Sequence, residues 1–102
     1  MTILGGFAML NEEVQLFLKA LASEKRQEMM FLFLDHRELS VGQIAELIGI
    51  SQSTASEQLA ILKRAGLLLS RKVGKKVFYA PNKSKAITLL ETFTEQLTNC
   101  CK

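Results

Sequence analysis

Histidine and proline each occur once in this sequence, tryptophan never, and the two cysteines stand side by side as Cys100 and Cys101. Two adjacent cysteines build no disulfide framework, so a reducing compartment, the cytoplasm, is expected. The single histidine, His36, has no neighbouring Cys or His and reads as a solvated loop residue rather than a metal ligand. No Ser-His-Asp or Cys-His set and no Gly-rich phosphate loop is visible, so catalysis is not expected. No apolar run approaches the ~20 residues of a membrane span, and no membrane partner is expected. The opening MTILGGFAML is apolar, but no basic residue precedes it and NEE follows, so it does not read as a secretory signal. Repeats, low-complexity tracts and linkers are also missing. The 102 residues fit one domain, 1–102, and an apolar content of 48% excludes disorder.

Acidic residues are missing from one stretch. Residues 1–57 hold four cations and eight acids, whereas residues 58–90 hold Lys63, Arg64, Arg71, Lys72, Lys75, Lys76, Lys83 and Lys85 and no acid. A one-signed block inside a folded segment points to a polyanion partner.

The hydrophobic periodicity predicts five helices. Leu10, Val14, Phe17, Leu18 and Leu21 make an amphipathic helix over about 10–22. Ser23 is a cap for a second helix, whose apolar side comprises Met29, Met30, Leu32 and Phe33. The two methionines read as core, not as ligands. DHRE breaks the pattern. Ser40 and Gln43 have capping-box spacing before a third helix with Val41, Ile44, Ala45 and Ile48 inward, closed by Gly49. Ser51 caps a fourth helix, in which Ala55, Leu59 and Leu62 face inward and Gly66 is the left-handed terminator. Leu67–Leu69 and Val77–Tyr79 then flank a tip with Gly74 and read as a hairpin, stopped by Pro81 and Asn82. A fifth helix over about 84–100 carries Ile87, Leu90, Phe93 and Leu97 on one face.

The fourth helix opens with an unusual composition. Ser51, Gln52, Ser53, Thr54 and Ser56 are indifferent helix formers that compete for backbone hydrogen bonds. Two helices joined by a three-or-four-residue turn form a helix-turn-helix unit, whose second helix enters the major groove N-terminus first. There Gln can hydrogen-bond an adenine edge and Ser or Thr can reach bases or phosphates. The expected interface is therefore Ser51, Gln52, Ser53, Thr54, Ser56, Glu57, Gln58 and Lys63, with Arg71, Lys72, Lys75 and Lys76 of the hairpin as a wing on the phosphates or minor groove. The fold class is mostly α with a small β-hairpin: a winged helix-turn-helix of five helices and a two-stranded wing. A winged helix used for protein–protein or RNA contact is the alternative of another class, and the polar outer face of residues 51–64 argues against it.

LASEKRQEMM, ELSVGQIAELIGISQSTASEQLAILKRAGLL and VFYAPN resemble the ArsR/SmtB family of small winged-helix repressors, from about residue 15 to the C-terminus. The resemblance implies transcriptional repression, a homodimer built from the first and last helices (about 10–22 and 84–100), a palindromic double-stranded DNA operator and release when an inducer binds. The apolar stripes of both terminal helices agree, because each needs a partner. The sequence departs from the family at three places. The start of the third helix reads ELSVGQ, without the cysteines that many members use for thiophilic metals. The last helix has Glu91 and Glu95 but no His. Glu57-Gln58 stands where most members have Gln-His; Glu57 can accept from a cytosine amine, face phosphates unfavourably, or pair with Arg64.

Cys100 and Cys101 fall roughly 50–60° either side of the stripe of the last helix, bordering the dimer-forming face. They either finish that stripe, form a frayed tail, or bind a soft ligand. A disulfide between neighbours is not expected, since adjacent Cα atoms lie about 3.8 Å apart, short of the usual bridge. Neighbouring thiolates suit trivalent arsenic or antimony. Some arsenic-responsive members of the resembled family carry such a vicinal pair, which implies an As(III) or Sb(III) species as inducer and no required cofactor. Inorganic As(III) takes three thiolates, but a methylarsenical takes two. Redox sensing through the same thiols, or no inducer at all, is the alternative.

Overall fold

The computed structural model describes residues 11–99, and Leu10, Cys100 and Cys101 of the readings above lie outside them. The order is α1 (Glu12–Leu21), α2 (Glu24–Leu32), β1 (Leu39–Ser40), α3 (Val41–Ile48), α4 (Gln52–Arg64), β2 (Leu68–Val73), β3 (Lys76–Pro81) and α5 (Lys83–Asn99). Each of the first four helices starts where a side chain satisfies an orphan N–H. Asn11 Oδ1 accepts from Val14 N at 2.8 Å, and Ser23 Oγ from Arg26 N at 3.3 Å. Ser40 and Gln43 form a reciprocal capping box, and Ser51 Oγ accepts from Thr54 N at 3.1 Å. Gly49, at φ +83°, ends α3 in the left-handed conformation, and two further residues lead into α4.

The sheet is larger than the predicted two-stranded hairpin. It has three antiparallel strands in the order β1-β3-β2, because Leu39 and Ser40 pair with Tyr79 and Phe78. Two residues are too few to show an alternating pattern in sequence. The hairpin strands are also longer than expected, running to Val73 and from Lys76, so the turn is Gly74-Lys75. Gly74 has φ +60°, as the first position of a tight primed turn requires.

One core joins these elements. Val14, Phe17, Met29, Ile44, Leu59, Leu62 and Leu68 are its largest fully buried side chains, each contributing about 1.5–3 kcal/mol by removal from water. His36 is exposed in its turn, with Nδ1 2.8 Å from Leu32 O. The last helix meets its own chain's core at one edge of its apolar side. Leu89 is its buried anchor and Phe93 packs half-buried against the core, whereas Ile87, Leu90 and Leu97 are about half exposed (56%, 49% and 56%). The apolar arc of α5 spans roughly 160°, and only one edge of it meets this chain's core.

Gly66 sets how closely α5 can approach α4. It has φ +86°, and Leu67 N donates to Leu62 O at 3.0 Å in a Schellman-type closure. A Cβ on Gly66 would sit 2.9 Å from Lys85 Cγ and 3.4 Å from Leu89 Cδ1. Gly66→Ala is expected to cost about 1–2 kcal/mol from the left-handed backbone alone, with crowding added. Urea unfolding measures this directly, and an unchanged midpoint would contradict it.

Candidate nucleic-acid interface

The roll of α4 sorts its polar residues. Ala55, Leu59 and Leu62 are fully buried, which points that side of the helix into the core. At 100° per residue, Gln52, Ser56 and Lys63 then share one outer flank within about 40°, with Ser53 about 60° beside Ser56. Thr54 and Gln58 fall on the opposite flank, roughly 160–200° from Ser56.

The first flank faces the wing. Gln52, Ser53 and Ser56 line an open groove with Lys75 and Lys76 of the wing tip, and Gln43 and Glu46 of α3 form its other wall. Lys72 stands opposite Val77, another groove residue, and is exposed. Gly42 is a residue that the sequence reading did not single out. A Cβ there would lie 3.3 Å from Gln52 Nε2, so its bare backbone seats the Gln52 carboxamide. A glycine in the first turn of a helix, where alanine would be more stable, was the available signal.

The second flank and the cap are occupied internally. Ser51 Oγ receives Thr54 N and donates to Thr54 Oγ1 at 2.9 Å, with Ser53 Oγ 3.3 Å away. Gln58 Oε1 accepts from Arg26 Nη1 at 2.7 Å. Glu57 is exposed, with no ion pair to Arg64 among the described residues.

Arg71 differs from the other wing cations. Its Nε and Nη2 donate to Glu38 Oε2 and Oε1 at 2.6 and 2.7 Å, and its guanidinium carbon lies 5.2 Å from the Phe78 ring centroid. This bidentate pair ties β2 to the segment before β1 across the outer sheet face. The expected phosphate contact therefore begins from a cation already held by a carboxylate. The hydrogen bond from Arg71 holds the Glu38 carboxyl below the ordinary glutamate range, and the same pair raises Arg71 further. Sequence reasoning missed the partner because 33 residues separate the two. Among the described residues no group of three or more His, Cys, Asp or Glu is placed to hold a metal, and no helix is long and apolar enough to cross a membrane.

The comparisons with known proteins agree with this geometry. Residues 23–70 match the family model described as bacterial regulatory protein, arsR family. The chain is 39% identical over 74 residues to the transcriptional activator HlyU of Vibrio cholerae, covering 72% of this chain and 68% of that protein. It is 42% identical over 66 residues to the arsenical resistance operon repressor of Escherichia coli, covering 65% and 56%. Among solved structures it is similar to the homodimeric winged helix-turn-helix DNA-binding domain Mb0332 of Mycobacterium bovis, with a TM-score of 0.69, 25% identity, and 96% and 94% of the two chains covered.

The Glu38–Arg71 pair makes a pH prediction. A carboxyl whose folded pKa is lowered supports the fold above its unfolded value and loses that support as pH falls through the folded one. Carboxyl NMR should place the Glu38 midpoint below the ordinary glutamate value, and Arg71→Gln should return it there. An identical midpoint in both proteins would contradict the pairing.

Proposed function

Because this chain belongs to the ArsR family of bacterial regulatory proteins and is a transcriptional regulator, we propose that it is a repressor that binds a palindromic operator in double-stranded DNA as a homodimer. The observation that carries this reading is the groove that joins the small polar flank of α4 to two lysines of the wing tip. Gln52, Ser53 and Ser56 read base edges, with Lys63, Lys72, Lys75 and Lys76 on phosphates. Ser51 and Thr54 serve the helix start, and Arg71 braces the wing. The exposed edge of α5, with Ile87 and Leu90, covers the same surface of a second protomer together with α1, which leaves Leu16 half exposed. The solved relative Mb0332 is homodimeric, which supports that assembly.

We also propose a trivalent arsenical as the inducer, held by the thiols of Cys100 and Cys101. Support comes from the adjacency of the two thiols and from the similarity to an arsenical resistance repressor. Each thiol loses a proton to a leaving hydroxide of methylarsenite, so two As–S bonds form and two waters leave. With two thiols per chain, a methylarsenical is the better fit and inorganic arsenite needs a third ligand. Binding beside the dimer face changes the separation of the two α4 helices, and a coupling of about 1–3 kcal/mol weakens DNA binding roughly 5- to 150-fold.

Two experiments test these readings. In operator titrations at several salt concentrations, replacing Lys75 and Lys76 by Ala should weaken binding to all sequences and reduce the log–log salt slope by about 0.9 per lost contact. Gln52→Ala should relax discrimination between operators at an unchanged slope. A double lysine variant with wild-type affinity and slope would refute the wing assignment. Separately, methylarsenite should release the operator at lower concentration than arsenite, and Cys100→Ser or Cys101→Ser should abolish release while apo binding persists. Release from a protein lacking both thiols would refute the inducer site. An operator released by oxidant and not by arsenicals would place redox sensing at the same residues.

A further inference from the structure

Arg26, in the first turn of α2, bonds to two other helices. Its Nε donates to Ala20 O at 2.8 Å and its Nη2 to Lys19 O at 3.3 Å. Both carbonyls belong to the last turn of α1, where a cation meets the negative end of the helix dipole; Lys19 O also accepts the cap N–H of Ala22 at 3.2 Å. Its Nη1 donates to Gln58 Oε1 of α4 at 2.7 Å. A planar guanidinium offers its donors in a fixed fork, so these bonds constrain one another as three lysine bonds would not. Arg26 is only partly exposed, and Gln58 is half-buried on the flank of α4 that faces away from the groove.

We infer that Arg26 and Gln58 are positioning residues that set the angle between α1 and α4, and thereby the spacing between the two DNA half-sites that the protein accepts. This rests on the reading of a dimer built partly from α1. If α1 is fixed relative to the twofold axis, any rotation of α4 against α1 moves the two recognition helices in opposite directions. The hydrophobic core alone permits small rolls of α4, because apolar contacts are non-directional. The Arg26–Gln58 bond is directional and lies at the junction between the two helices. Gln58, expected from sequence to meet DNA, acts here through Arg26 instead. Its Oε1 accepts from Arg26 at 2.7 Å, and Gln58 is not among the residues that line the groove.

The test measures operator spacing in the intact protein. The probe is a palindromic duplex selected from random sequence by the wild-type protein; affinity is read for it and for versions with one base pair inserted or removed between the half-sites, together with affinity for a single half-site and the thermal midpoint. Wild type is expected to discriminate against both altered duplexes. Gln58→Leu keeps Arg26 on the α1 carbonyls but cuts the tie to α4, and should reduce that discrimination roughly fivefold or more. Single half-site affinity and base preference should stay as in wild type. Arg26→Lys should do the same, and the double variant should add nothing, because both act through one bond. Unchanged spacing discrimination in the two single variants would overturn the inference and leave the repressor reading standing. A changed base preference in Gln58→Leu at constant spacing discrimination would make Gln58 a base contact and overturn it as well. A wild-type protein indifferent to the presence of a second half-site would overturn the dimeric reading and this link with it.

Discussion

The roll of α4 about its own axis governs the rest of the molecule. Ala55, Leu59 and Leu62 are all fully buried. A helix with three inward side chains on one stripe cannot turn by one residue without exposing two leucines and burying polar groups. That cost fixes the outward direction of Gln52, Ser53, Ser56 and Lys63. The Ser51 cap fixes where the helix begins, and the Schellman closure at Gly66 fixes where it ends and sends the chain into β2. The wing thus emerges at a set distance from the first turns of α4, and the groove between them follows.

Polar ties then refine what the core permits. The eight cations of residues 58–90 form an unbroken positive block in sequence, yet the fold brings acids from elsewhere to some of them. Glu38 holds Arg71, and Glu13 meets Lys85 Nζ at 2.6 Å. Lys63, Arg64, Lys72, Lys75, Lys76 and Lys83 have no ion pair among the described residues, and Lys75 and Lys76 of these line the groove, where a polyanion gains from them. Exposed ion pairs contribute little to stability. Their effect here is on where the charge lies and how the wing is held.

Local signals carried most of the architecture. Ser23, Ser40 and Ser51 stand at helix starts in sequence and in structure, and the α4 stripe is legible from spacing alone; Asn11, inside the expected span of the first helix, is its cap. Three things were not legible. β1 is two residues long. In α5 the sequence showed one apolar face, but not which edge would meet the chain's own core, so Leu89 was overlooked and Ile87, Leu90 and Leu97 are exposed. The side-chain ties Arg71–Glu38 and Arg26–Gln58 join residues 33 and 32 positions apart, beyond any periodic pattern. For that reason residues 51–58, which read as one polar block, divide in space into a groove flank, a cap and a flank bound to α2.

On the proposed reading, the Gln52–Ser56 flank of α4 meets DNA and the Gln58 flank does not. Attaching an iron-chelate cleavage reagent through Ser56→Cys or Glu57→Cys, and separately through Thr54→Cys, in a protein with Cys100 and Cys101 replaced by Ser, reads this directly on an operator duplex. Strong cleavage within each half-site is expected from position 56, intermediate cleavage from 57 and weak cleavage from 54. Equal cleavage from all three, or the strongest from 54, would contradict it.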